Sequence, residues 1–105
     1  MNDYQRTALI DCTGIYTIEE FFQRYLDSTN PRFPANFGRN LDALWDAIEG
    51  GGPGCPVDFD HLHFINLQQF VDELGGPDSP WYQALRRVAR DATEVKLTLS
   101  LGGTS

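Results

Sequence analysis

Asp42, Trp45 and Asp46 stand at i, i+3 and i+4 in the run Phe37-Gly38-Arg39-Asn40-Leu41-Asp42-Ala43-Leu44-Trp45-Asp46. Carboxylates beside an indole can make either a general acid–base pair or a patch that receives cations. Acid–base work needs two groups in a cleft whose pKa values are pushed apart by different surroundings. On one open helix face, Asp42 and Asp46 have similar surroundings and repel each other at i, i+4. The patch is therefore the better reading, and it suits a partner pocket that otherwise holds phosphate, because a carboxylate oxygen can take the place of a phosphate oxygen. The ordinary alternative is a solvated acidic face. Asp42 needs no partner to explain it, being in the first helical turn where the helix dipole favours a carboxylate. Asp46, mid-helix, has no such support.

Other constellations carry less. Asp58-x-Asp60-His61-x-His63 places imidazoles on one strand face with carboxylates near, a candidate metal set. Loop polar residues running into a strand explain it as well, and no metal or cofactor is assigned. Gly50-Gly51-Gly52-Pro53-Gly54 lacks the Lys-Ser/Thr and the strand–loop–helix setting of a phosphate cradle; it reads as a mobile connection. Cys12 and Cys55 have no metal-type spacing and are expected to be reduced, Cys12 in the core and Cys55 exposed in its Gly/Pro loop. Neither has a basic setting, so nucleophilic catalysis has no support. The chain is read as a non-enzyme.

The elements that must position these residues follow from periodicity. Thr7–Cys12 is a short apolar run, expected as a buried strand. Thr17-Ile18-Glu19-Glu20 is a capping box, and Ile18, Phe21, Phe22, Tyr25 and Leu26 follow at helical spacing until Asn30-Pro31. Asn40 caps a second helix to about Glu49. With Leu41 set at zero on a 100° wheel, Leu44, Trp45 and Ile48 fall within about 60°, while Asp42, Asp46 and Glu49 cluster at about 80–140°. Trp45, at about 40°, lies between core face and acidic strip. Leu62–Asn66 is a second strand, followed by a short helix through Phe70, Val71 and Leu74. Ser79-Pro80 caps a last helix striped by Trp81, Leu85 and Val88, with Arg86, Arg87 and Arg90 off the stripe. Val95–Leu101 alternates apolar and polar, as suits an edge strand, and Gly102–Ser105 is expected to fray.

Strands separated by helical crossovers imply a parallel sheet. The expected architecture is a small α/β domain with a three-stranded parallel sheet and about four helices, mainly on one side. It would be a single domain over residues 1–105, ordered over about 7–100. The 105 residues carry 15 acidic against 8 basic side chains, for a net charge of −7. This opposes binding to nucleic acid or anionic membranes and permits fast association with a basic protein. MNDYQRTALI lacks a secretory n-region and apolar run, and no stretch approaches a membrane span. A cytoplasmic protein, monomeric when free, is expected.

The run Gly38–Asp46 resembles the signature helix of the barstar family, small intracellular inhibitors of ribonucleases, whose pattern is Tyr/Phe-Gly-x-Asn-Leu-Asp-Ala-Leu-Trp-Asp. The element order over 7–100 is similar too. The resemblance implies that Asp42 and Asp46 face Arg, Lys and His groups of a nuclease, that Trp45 is a partly buried interface tryptophan, that Asn40 is the N-cap and that Gly50 is the glycine ending the helix. The segment 36–50 would enter the RNA-binding cleft, placing Asn36, Phe37 and Gly38 at the interface. Departures point to a different nuclease. Asn36 stands where the family often has a stacking tyrosine, the 50–56 loop lacks an aromatic, and Arg87 stands where an acidic contact is expected, with Asp91 one turn on to compensate. The implied partner is a basic ribonuclease or ribonuclease toxin domain. The alternative is an acidic module, or toxin immunity protein, for a basic partner that is not a nuclease. The remote Asp3 serves as a reference acid.

Overall fold

A computed structural model describes residues 6–103; Asp3 and the last two residues of the expected tail, Thr104 and Ser105, lie outside them. The order is β1 (Thr7–Asp11), α1 (Ile18–Thr29), a single 3-10 turn (Pro34–Asn36), α2 (Leu41–Gly50), β2 (His61–Ile65), α3 (Gln68–Glu73), α4 (Pro80–Asp91) and β3 (Lys96–Leu99). The strands form one parallel sheet in the order β1-β2-β3. The fold is thus the α/β arrangement expected, with four helices and a three-stranded parallel sheet.

Local chemistry sets the helix starts. Thr17 accepts from the Glu20 amide while the Glu20 carboxylate takes the Thr17 N–H, a complete capping box. Asn40 accepts from Ala43 N–H at 2.7 Å to start α2, and Ser79 with Pro80 at the first helical position starts α4.

Strand alternation sends Ala8 and Ile10 of β1, and Leu62 and Phe64 of β2, into the core. Phe21 sits at its centre, with ring centroids 5.0 to 5.3 Å from those of Phe22, Phe64, Phe70 and Trp81. The opposite sheet face carries Thr7, Leu9, His61 and His63, exposed or half-buried.

The chain after β3 departs from expectation. Regular strand ends at Leu99, and the next residues turn back onto the start of α3: Ser100, Leu101 and Gly102 carbonyls accept from Leu67, Gln68 and Asn66 N–H. Gly102 is therefore tied down, because the α3 N-terminus has free amide donors and no side-chain cap to satisfy them.

The glycine-rich loop is a second correction. It is a bonded segment: Gly54 N–H donates to Arg32 C=O at 2.8 Å, Arg32 N–H to Cys55 C=O at 3.2 Å, and the buried Tyr25 hydroxyl to Gly54 C=O at 2.6 Å. Gly54 and Pro56 are buried, and Cys55 is half-buried rather than exposed. Both thiols are free, and burial pushes that of Cys12 up to about 12. Among the described residues, no helix is long and apolar enough to cross a membrane.

Candidate interaction site

The buried arc of α2 is Leu44, Ala47 and Ile48, with Leu41 only half-buried. On the wheel this arc centres about 70° from Leu41, on the side away from the acids. Trp45 is accordingly turned further from the core than a Leu41-centred face requires, and it is 38% exposed. Its indole does not belong wholly to the core.

The acidic strip divides into separate duties. Glu49 is structural: its carboxylate accepts from Thr93 N–H and Glu94 N–H at 2.8 Å and from the Thr93 hydroxyl at 2.9 Å. The Glu94 and Thr93 amides hold its pKa below the usual carboxylate range, so Glu49 clamps α2 to the turn between α4 and β3. Asp42 faces α4 across a cleft of about 290 Å³ lined by Leu41, Asp42, Trp45, Ala84, Arg87, Val88 and Asp91. The α4 contributors recur at i, i+3, i+4 and i+7, so one helix face forms the cleft wall. Asp46 turns the other way, toward the loop after α2. A Cβ at Gly50 would lie 3.0 Å from Asp46 Oδ1, and one at Gly52 would collide with Oδ2. Glycine at 52 leaves room for that carboxylate.

Among the described residues no ion pair holds Asp42 or Asp46, although Arg87 lines the Asp42 cleft. The neighbouring Arg39, at a left-handed φ of 52°, reaches back to α1 instead, 3.5 Å from Glu19 and 2.7 Å from Gln23. The geometry leaves two exposed carboxylates flanking a half-open indole, suited to receiving cations.

The remaining expected site residues fall into place unevenly. Asn36 and Gly38 are exposed on the loop leading into α2, and Gly50 is exposed at its C-terminal end. Asp91 joins Asp42 and Trp45 at the cleft, but it is 3.0 Å from Arg90, whose hydrogen bond holds its pKa down. Phe37 is not available for contact: it is 5% exposed, its ring packs on Phe22 and Tyr25, and it fills the space left by Gly54. It supports the loop from beneath. Alternation explains this, since an aromatic flanked by exposed residues on a short loop must anchor that loop.

Residue spacing alone did not single out Gly52 or the clamp role of Glu49. Nor did it single out Phe33, which is 62% exposed at φ 54° beside the loop pairing at Arg32. For Phe33 a signal was present: it belongs to no periodic stripe, so no core position awaited it.

The histidines are placed by the sheet. His61 and His63 stack with centroids 6.1 Å apart. Their Nε2 atoms meet the hydroxyls of Thr98 and Ser100 at 2.8 Å, and His61 Nδ1 meets that of Thr7 at 3.2 Å. Asp60 accepts the Arg6 N–H. Among the described residues, no group of three or more His, Cys, Asp or Glu side chains is arranged to hold a metal ion.

Compared with models of protein families, residues 5–100 match the one described as Barstar (barnase inhibitor). None of the curated proteins matches the chain.

Proposed function

Because the chain belongs to the barstar (barnase inhibitor) family, a family of inhibitors and not of enzymes, we propose that it blocks a basic ribonuclease or ribonuclease toxin domain stoichiometrically. Asp42, Trp45 and Asp46 enter the nuclease's RNA-binding cleft, where the carboxylates stand in for phosphate. Asn36, Gly38, Gly50 and Asp91 frame the contact, and Phe37 holds the loop from below. The observation that carries this reading is two exposed carboxylates, held by no ion pair among the described residues, beside a half-exposed indole on a helix whose other acid is already used. No requirement of the fold explains Asp46 or the open edge of Trp45.

The net charge of −7 steers the inhibitor onto a basic enzyme, so association slows as salt screens it. The protein acts as a monomer in the cytoplasm of the producing cell, protecting it from its own nuclease or an incoming one. Docking needs no cofactor, nucleic acid or membrane.

Titrating the protein into barnase and a panel of small basic microbial ribonucleases, with RNA cleavage as readout, tests this. At least one enzyme is expected to lose activity linearly to a one-to-one endpoint, and the protein alone is expected to leave RNA intact. Asp46→Ala is expected to weaken that inhibition at least tenfold, about 1.4 kcal/mol, whereas the exposed Asp78, in the turn before α4, tolerates Ala. Intrinsic RNA cleavage, or an Asp46→Ala variant that inhibits as well as the parent, would overturn the proposal.

A further inference from the structure

The overall negative charge conceals a local reversal on α4. Of the chain's 8 basic residues, Arg86, Arg87 and Arg90 share one shallow depression with Gln83. Arg90 is engaged by Asp91 and, in the last turn, is favoured by the helix dipole. Arg86 has neither reason, and Arg87 has only its charge attraction to Asp91 one turn on. Both are exposed, and among the described residues neither forms an ion pair. Arg86 also repels Arg90 at i, i+4, which works against the isolated helix. Solubility does not ask for it, since these cations lower the magnitude of an already ample net charge.

Arg87 is what joins the two signs. It lines the same cleft as Asp42 and Trp45 while belonging to the basic depression on its other side. A guanidinium is a planar donor fork made for carboxylate or phosphate. A polyanionic nucleic acid would meet Asp42 and the rest of the acidic surface next to it, so the phosphate reading is the weaker one. A protein carboxylate meets no such conflict if a cation beside it faces Asp42.

We infer that the docking face has two signs: it takes a protein surface whose cations, set against Asp42 and Trp45, are bordered by at least one carboxylate set against Arg86 and Arg87. This rests on the docking reading proposed above and adds a selection rule to it, because a uniformly basic cleft would be repelled at α4.

Peptides test the rule without a nuclease. The full chain, isotope-labelled, is titrated at low salt with tri-arginine and with the block peptide Arg-Arg-Arg-Gly-Gly-Gly-Glu-Glu-Glu. Net charge alone predicts that the added glutamates weaken binding to an acidic protein; the two-signed face predicts at least threefold tighter binding, with signals of the Trp45 indole and the Arg86 and Arg87 side chains shifting together. The advantage is expected to vanish in Arg86→Gln/Arg87→Gln and to persist in Arg6→Gln/Arg32→Gln, which changes the net charge equally. A block peptide that binds no more tightly than tri-arginine, or an advantage that survives Arg86→Gln/Arg87→Gln, would overturn the inference. If the block peptide is preferred yet no ribonuclease is inhibited, the nuclease assignment alone falls.

Discussion

Asp46 and Gly52 make a pair in which one residue exists for the other's freedom. The glycine is not in a left-handed conformation, so its value is the absence of a Cβ, which would overlap the Asp46 carboxylate. That carboxylate is the free end of a side chain on the surface and can swing aside. Gly52→Ala is therefore expected to leave stability within about 1 kcal/mol of the parent while weakening nuclease inhibition at least threefold, in the same direction as Asp46→Ala. The two changes combined should cost little more than Asp46→Ala alone, since each acts on one carboxylate. Full additivity in inhibition assays would show that Gly52 acts by another route. Gly54 makes a contrasting case. Its φ is 89°, and a Cβ there would strike the buried Phe37 ring, which has no solvent to move into. Gly54→Ala is expected to lose about 2–4 kcal/mol of unfolding free energy by denaturant titration, and a loss under about 1 kcal/mol would contradict the geometry.

At the scale of elements, α2 owes its position to two neighbours that no local pattern announces. Its start was legible, as were those of α1 and α4, because Asn40, Thr17/Glu20 and Ser79-Pro80 act within a single turn. Its end was not. Glu49 bonds to Thr93 and Glu94, far along the chain, and a carboxylate on a wheel gives no hint of which amides it will find. The same limit applies to the loops. Glycines at 50–54 suggest freedom, yet Gly52 and Gly54 serve close approach, Gly51 takes the left-handed cap of α2, and the loop is held by Arg32 and the Tyr25 hydroxyl. The aspartates and the tryptophan of the site could be read from spacing because they lie on one helix; the cleft wall from α4 could not, since it depends on how two helices meet. Tyr25→Phe probes this tie. It strips the buried Gly54 carbonyl of its side-chain donor and is expected to cost about 1–2 kcal/mol. Amide exchange at Arg32 and Gly54 should quicken relative to the β2 core, and unchanged exchange there would show that the loop does not depend on the hydroxyl.

For the whole molecule, the response to acid follows from groups that favour their unprotonated forms when folded. The Thr13 hydroxyl and the Asn66 amide hold the Asp11 carboxyl at about 2, below its ordinary 3.8. Glu20, Glu49 and Asp91 are lowered by the Tyr16 amide, the Glu94 amide and Arg90 respectively. His61 lies below its ordinary 6.5, first through burial and then through His63 and Lys96, against the opposing pull of Asp60. In every case the unfolded chain binds the proton first as pH falls, so stability rises with pH through each window. The His61 contribution is complete above 6.5 and declines as pH falls toward its lowered folded value. The carboxylate contribution is complete above about 4.5 and is lost below it, with Asp11 continuing the loss toward 2. Self-repulsion opposes this trend, because a net charge of −7 shrinks as pH approaches the isoelectric point near 4.5. That relief is nearly the same in single-site variants, so comparing them isolates each group. The melting temperature is expected to be flat from about pH 7 to 8, to fall gently just below 6.5 and to fall steeply below 4.5; in alkali it falls again, because the unfolded Cys12 thiol ionises near 9.0 while the buried one resists. His61→Asn should remove the gentle step and leave the steep one. Asp11→Asn, which replaces a charged acceptor by a neutral one, should lower the plateau and flatten the acid limb. A gentle step that survives in His61→Asn would assign it to another group, and a melting temperature rising on acidification from 4.5 to 3 would show that charge relief outweighs the hydrogen-bonded carboxylates.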